Sequence, residues 1–130
     1  MNRLRLCLGT MITAAVLLLC AGAMAEIRIN EVMASNGVYQ DGHAYDWAEL
    51  YNDGAEESLA GWYLSNDPYQ PYKWAFPSDT KIAENGYLIV YCAGEGKEPM
   101  TDALCTNFKL SADGDTLYLT SPGGESTVLS

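Results

Sequence analysis

The sequence predicts an all-β fold, a β-sandwich of about seven to eight short strands preceded by a signal-peptide helix. Three observations carry that prediction. Aromatic-rich phrases with strand composition alternate with turn phrases at roughly 8–12-residue spacing, as the strands of a small sandwich do. No segment sustains an apolar period of 3.6 residues. The first 25 residues read as an export leader, which leaves Glu26–Ser130, 105 residues and one domain by length.

The leader has three parts. Arg3 and Arg5 make a basic start, Leu6 to Leu19 is a 14-residue apolar run, and Ala23-Met24-Ala25 puts small residues at the −3 and −1 positions of a cleavage site. The alternative is an uncleaved anchor, because Leu6 to Ala25 carries no charge and is long enough to span a bilayer. Either reading exports the chain, to a secreted or cell-surface location, and after cleavage no membrane span is expected. This style of leader points to a bacterium.

Along the remaining chain, Ile27–Val32 alternates apolar and polar residues and reads as a strand. Ala34–Tyr45 reads as loop. Trp47–Asn52 alternates again, with Trp47, Glu49 and Tyr51 on one side and Ala48 and Leu50 on the other. Asp53-Gly54 is a turn. Leu59 is placed as a core plug before Gly61, and Trp62–Ser65 as the next strand, with Trp62 in the core. A buried Trp62 puts the cost of Trp62→Ala at about 3–5 kcal/mol. The prolines of Asn66–Tyr72 make that stretch a loop. Trp74–Phe76 is a short strand stopped by Pro77, and Ile82 a lone core anchor. Asn85-Gly86 turns the chain into Tyr87–Cys92, whose near-continuous apolar run reads as a central strand. Ala93–Asp102 is loop. Phe108–Leu110 and Thr116–Thr120 flank Asp113-Gly114, a hairpin signal. Pro122–Gly124 is a last turn before Thr127–Leu129.

Composition narrows the function. The whole chain carries a net charge of −10; without Arg3 and Arg5, five basic residues face 17 acidic ones, a net of about −12. Such a field repels polyanions, so no nucleic acid is expected as a partner. Cys7 and Cys20 lie in the leader, leaving Cys92 and Cys105. Export permits a disulfide between them, closing a loop of roughly 14 residues worth about 3 kcal/mol; two separate thiols are the alternative, since spacing alone does not give the Cα separation a bridge needs. One histidine and two cysteines at this spacing make no zinc site. No metal and no cofactor is expected.

Several phrases, taken in order, resemble one family. Ile29-Asn30-Glu31-Val32, Trp47-Ala48-Glu49-Leu50-Tyr51-Asn52, Gly61-Trp62-Tyr63-Leu64-Ser65 and Phe108-Lys109-Leu110-Ser111 are similar to the bacterial form of the lamin tail domain, over about Ile27 to Leu129. The resemblance implies an immunoglobulin-like β-sandwich. It also implies an exported module, often beside catalytic domains such as CotH-type kinases, nucleases and other hydrolases, and a role in binding or attachment. The family pattern normally runs a residue or two past Ser130, and the chain is expected to be the front of a longer polypeptide.

Four constellations bear on chemistry. Glu31 and Glu49 fall on strands expected to be neighbours, but Glu49, between Trp47 and Tyr51, reads as a hydrogen-bond acceptor rather than one of a catalytic carboxylate pair. Asp41, His43 and Asp46 form a polar loop without a placed nucleophile. Asp113 and Asp115 offer oxygen ligands for calcium, yet a tight hairpin accounts for Asp-Gly. Tyr69 and Tyr72, in the proline-rich PYQPYKW stretch, have the composition of an aromatic platform with a polar rim, while Trp74 beside them reads as core. The expectation is therefore no catalytic residue and a non-enzymatic module. It displays the Ala34–Tyr45, Asn66–Tyr72 and Ala93–Asp102 loops to a cell-envelope glycan or protein. The alternative is an accessory domain of a larger exported enzyme whose catalytic part lies beyond Ser130.

Overall fold

The computed structural model describes residues 26–34, 39–40, 43–97 and 102–129. The leader reading of residues 1–25, its helix included, lies outside them, as do Asp41 and residues 98–101 of the Ala93–Asp102 loop. Among the described residues the chain forms β1 (Ile27–Met33), β2 (Tyr39–Gln40), β3 (His43–Ala44), β4 (Trp47–Asn52), β5 (Glu57–Ser58), β6 (Tyr63–Ser65), β7 (Trp74–Ala75), β8 (Lys81–Ile82), β9 (Tyr87–Tyr91), β10 (Leu117–Thr120) and β11 (Ser126–Leu129), with no helix. The fold is the expected all-β sandwich of immunoglobulin-like type. The strands outnumber the seven or eight read from sequence because five of the eleven are two-residue pairings.

The first sheet has the order β1-β4-β9 and the second β11-β10-β6-β7; β2-β3 and β5-β8 are separate two-stranded ribbons. All the named pairings are antiparallel. The alternation in the sequence sets the inner faces. Ile27, Ile29, Ala48, Leu50 and Val90 face inward from the first sheet, Leu64, Leu117 and Leu119 from the second. A one-residue slip in any of these strands would turn its apolar set to water, so burial fixes the register. Between the sheets, Leu59, Phe76, Ile82, Phe108 and Leu110 fill the core from turns and short strands, which places Leu59 and Ile82 where the sequence predicts. Burying each of these large side chains contributes about 1.5–3 kcal/mol. Trp74 is half-buried against the same core and meets Phe76 edge to face, with ring centroids 4.9 Å apart. The edge strands β1 and β11 also approach each other and close one side of the sandwich.

One corner is held by polar contacts. Asn52 ends β4 fully buried, and its Nδ2 donates to the carbonyls of Ala55, Ile82 and Ala83 at 2.8, 3.2 and 3.2 Å. Its Oδ1 accepts from Gly54 N at 3.0 Å. The side chain thereby ties the β4 exit to the β8–β9 turn. Within that turn Asn85 takes the left-handed conformation (φ 55°), and Gly86 is needed for another reason: a Cβ there would lie 2.9 Å from Ala83 O.

Several sequence expectations are corrected. Tyr87–Tyr91 is an edge strand of the first sheet, and β4 is the central one. Its apolar run is misleading because Tyr87 and Ile89 face outward, 62% and 37% exposed. Phe108–Leu110 is buried as expected at Phe108 and Leu110, yet forms no strand beyond a single bridge between Ala93 and Lys109. Side chains satisfy its backbone instead: Asp46 Oδ2 accepts from Leu110 N, Asn66 Nδ2 donates to Lys109 O, and Thr106 Oγ1 to Phe108 O. Asp113-Gly114 accordingly lies in a turn, with Gly114 N donating to Ser111 O at 3.2 Å, and not in a hairpin between paired strands. Trp62 precedes β6 and is half-buried against the core rather than inside it. The Ala34–Tyr45 stretch contains the β2-β3 ribbon.

Candidate functional site

The Asn66–Tyr72 loop follows directly from β6, and local hydrogen bonds fix its path. Ser65 Oγ accepts from Asp67 N at 2.9 Å and donates to Asp67 O at 3.1 Å. Asp67 Oδ1 accepts from Tyr69 N at 2.9 Å, and Gln70 N donates to Asp67 O at 3.0 Å. This is how aspartate and proline build a tight turn: Asp67 mimics a backbone acceptor two residues on, and Pro68 presets its own φ. The result holds Tyr69 at the tip, 92% exposed. Tyr72 is 59% exposed and braced, its ring edge-on to Tyr63 at 4.9 Å and 74°.

Behind the loop lies an open cleft of about 470 Å³, lined by Asn66, Pro68, Gly114, Asp115, Thr116 and Tyr118. Its volume falls in the usual range for small-ligand sites. Tyr118 enters it because Leu117 and Leu119 point into the core, which turns the residue between them outward. Asn66 organises the polar wall: its Oδ1 accepts from Lys73 Nζ at 2.8 Å, and its Nδ2 donates to Asp115 Oδ2 at 3.3 Å. Lys73 Nζ also lies 5.2 Å from the centre of the Phe108 ring. The amide of Asn66 and the carboxylate of Asp115 are thus engaged with each other, with Lys73 and with the backbone, and Thr116 and Tyr118 add hydroxyl groups to the lining.

The sequence-predicted residues are only partly brought together. Pro68 lines the cleft; Tyr69 stands next to it in sequence at the loop tip, while Tyr72 leans on Tyr63 with its hydroxyl against the Gly124 turn. Sequence reasoning missed Asn66, Thr116 and Tyr118 as site residues; the apolar Leu117 and Leu119 on either side of Tyr118 are the signal that could have found the last.

Asp115 serves the backbone. Its Oδ2 accepts from Ser111 N and its Oδ1 from Thr116 N, both at 3.0 Å. Among the described residues no three His, Cys, Asp or Glu side chains are grouped as metal ligands. Asp46 is likewise structural, bonded to Leu110 N through its carboxylate and to Cys92 N through its carbonyl. His43 is in β3, and its side chain lies outside the description. Glu31 and Glu49 are direct cross-strand partners, and Glu49 Oε1 accepts from Asn30 Nδ2 at 2.9 Å.

Cys92 and Cys105 are both thiols. A parallel bridge sets Cys105 beside Tyr91, and Thr106 N donates to Tyr91 O at 2.8 Å. Cys92 is thus the chain neighbour of Cys105's bridge partner, diagonal to it rather than directly across. Cys92 is fully buried, and burial pushes its thiol up to about 12. The nearby Asp46, Cys105 and Asp115 add to that rise, against a hydrogen bond with Thr106. A thiol in that state is protonated and inert at physiological pH.

The site is thus an open cleft lined by Pro68 and Tyr118 among others, with the exposed Tyr69 following Pro68 in the chain. The chain matches no curated protein. It does match the family model described as Lamin Tail Domain, over residues 21–130. That match spans the whole sandwich and includes the phrases from Ile29 to Ser111 on which the sequence resemblance rests, and the chain belongs to the lamin tail domain family.

Proposed function

We propose that this domain is an exported, non-catalytic attachment module that holds a neutral glycan or glycan-like surface of the cell envelope at the Asn66–Tyr72 end of the second sheet. One observation carries the reading: Tyr69 is 92% exposed on a loop pinned by four hydrogen bonds, next to the 470 Å³ cleft lined in part by Tyr118. A mobile loop would lose entropy on binding; a loop whose backbone is already held by hydrogen bonds loses less. Rings stacking on sugar faces, flanked by amide and hydroxyl groups, are the chemistry of neutral glycan capture. The net charge of −10 argues against anionic polymers as the target.

The test is a pull-down on insoluble cell-wall glycan. The wild-type protein is retained, and Tyr69→Ala/Tyr118→Ala is not. Full retention of the double variant would remove the site. Absence of catalysis belongs to the same proposal: no turnover is expected on glycan, nucleic acid or ester substrates, and turnover abolished by Glu49→Gln would contradict it. Export predicts a secreted form beginning at Glu26. Company with a catalytic domain of the CotH-kinase or hydrolase kind, as the family resemblance implies, is tested by the reading frame after the codon for Ser130.

A further inference from the structure

The outer face of the first sheet carries three cross-strand rows that the glycan site does not use. The first row is Arg28, Tyr51 and Tyr87; the second Glu31, Glu49 and Ile89; the third Met33, Trp47 and Tyr91. A bulge at Asn30 brings Glu31 level with Glu49 instead of Asn30. In the first row the chain supplies its own cation. The Arg28 guanidinium lies 5.0 Å from the centre of the Tyr51 ring and pairs with Asp53 Oδ2 at 3.0 Å, and Tyr51 and Tyr87 stack at 4.7 Å. The face thus already shows one guanidinium held between an aromatic ring and a carboxylate.

The second row supplies carboxylates without a cation, and the third supplies only rings, Trp47 and Tyr91. Glu31 and Glu49 stand directly opposite each other, bordered by the rings of Tyr51 and Tyr87 on one side and of Trp47 and Tyr91 on the other. Neither glutamate takes part in an ion pair with the described residues. Like charges placed directly across a ladder repel, and a cation between them relieves that repulsion while gaining attraction from the neighbouring ring faces. The net charge of −10 draws cations to the molecule in general, and these rows give them a place.

We infer that this face docks an extended protein segment bearing arginine or lysine at alternate positions. Alternate side chains of an extended segment recur at about 7 Å, and so do rows two residues apart on a sheet. A strand-like segment lying along β4 therefore sets one cation over the Glu31–Glu49 row and the next, two residues on, over the Trp47 and Tyr91 rings of the third row. Exposed Tyr87 and Ile89 give the apolar stems of those arginine or lysine side chains a landing surface.

The probe is a labelled hexapeptide of alternating arginine and threonine, with fluorescence anisotropy read at low ionic strength. The control peptide carries citrulline, the neutral isostere, in place of arginine. The arginine peptide is expected to bind about tenfold or more tightly than the citrulline peptide, the effect of one good ion pair with a ring contact. Glu31→Gln/Glu49→Gln should reduce its affinity to the citrulline level. That variant should melt no lower than wild type, since the substitution removes a repulsion and keeps the Asn30 hydrogen bond. Asp79→Asn/Glu125→Gln, which removes the same charge from exposed positions in other turns, should leave the affinity unchanged. Equal binding of the two peptides, no binding, or an equal loss in both double variants would overturn the inference, the last by showing diffuse attraction only. Tyr69→Ala/Tyr118→Ala should not affect this peptide, so the fate of the glycan site is read separately.

Discussion

The outer face of the first sheet and the loop end of the second both present tyrosines, in different ways. On the first sheet the rings of Tyr51, Tyr87 and Tyr91 come from regular strands and lean on neighbours, Tyr51 on Tyr87 and Tyr91 on Tyr45 of the β3–β4 link, 6.0 Å away at 75°. On the second, Tyr69 rises from a turn held by Asp67 and Ser65, and beside it the protein leaves a concavity rather than a plane. A sheet face with charged rows suits an extended chain; a cleft beside a loop that carries an exposed ring suits a compact neutral unit. The lesson is that exposure alone does not define a binding surface. What supports the exposed ring decides what it can hold.

Both surfaces depend on the shared core, so the strongest way to break the comparison is to remove it. Leu50→Ala on β4, in the shared core, should cost about 4 kcal/mol in chemical denaturation, as a fully enclosed leucine does. Asn52→Ala strands three carbonyls and one amide at the corner, and should cost about 3 kcal/mol. Alkaline pH should separate the core from either face. The Cys92 thiol is raised from 9.0 to about 12 in the folded protein, so the unfolded chain loses this proton first. Stability from this group is complete below pH 9 and falls as pH rises towards 12, by about 2–3 kcal/mol at pH 11 relative to Cys92→Ala. Alkylation followed by peptide mapping should find Cys105 modified well before Cys92. Trp62→Ala, at a half-buried position, should cost about 2 kcal/mol, below the 3–5 kcal/mol of a core tryptophan. Smallest of all, Tyr69→Ala should change stability by less than about 0.5 kcal/mol while abolishing glycan retention. A large destabilisation there would mean that the ring is structural, and the distinction between the two surfaces would fail.

Sequence periodicity made the first surface legible. Trp47, Glu49 and Tyr51 were readable as one side of β4, and Leu50 as the other, because two-residue alternation belongs to the strand itself. The insertion at Asn30 was not readable, and it is what puts Glu31 opposite Glu49. The second surface was legible only as a proline-rich loop with tyrosines. Its cleft joins Asn66 and Pro68 to Gly114–Tyr118, about fifty residues away, and no local pattern reports such a meeting. The Phe108–Leu110 segment shows the same limit: its composition is that of a strand, but Asp46 and Asn66 take its hydrogen bonds from far along the chain. The cysteines were undecided for the same reason, since the register of Cys105 against Tyr91 is a tertiary fact.

The most direct test of the central claim is a two-dimensional amide NMR titration of the protein with soluble fragments of cell-wall glycan. The account predicts saturable shifts confined to Asn66–Tyr72 and Gly114–Tyr118, with Arg28, Tyr51 and Tyr87 unmoved. Shifts concentrated on β1, β4 and β9, or none at saturating glycan, would contradict it.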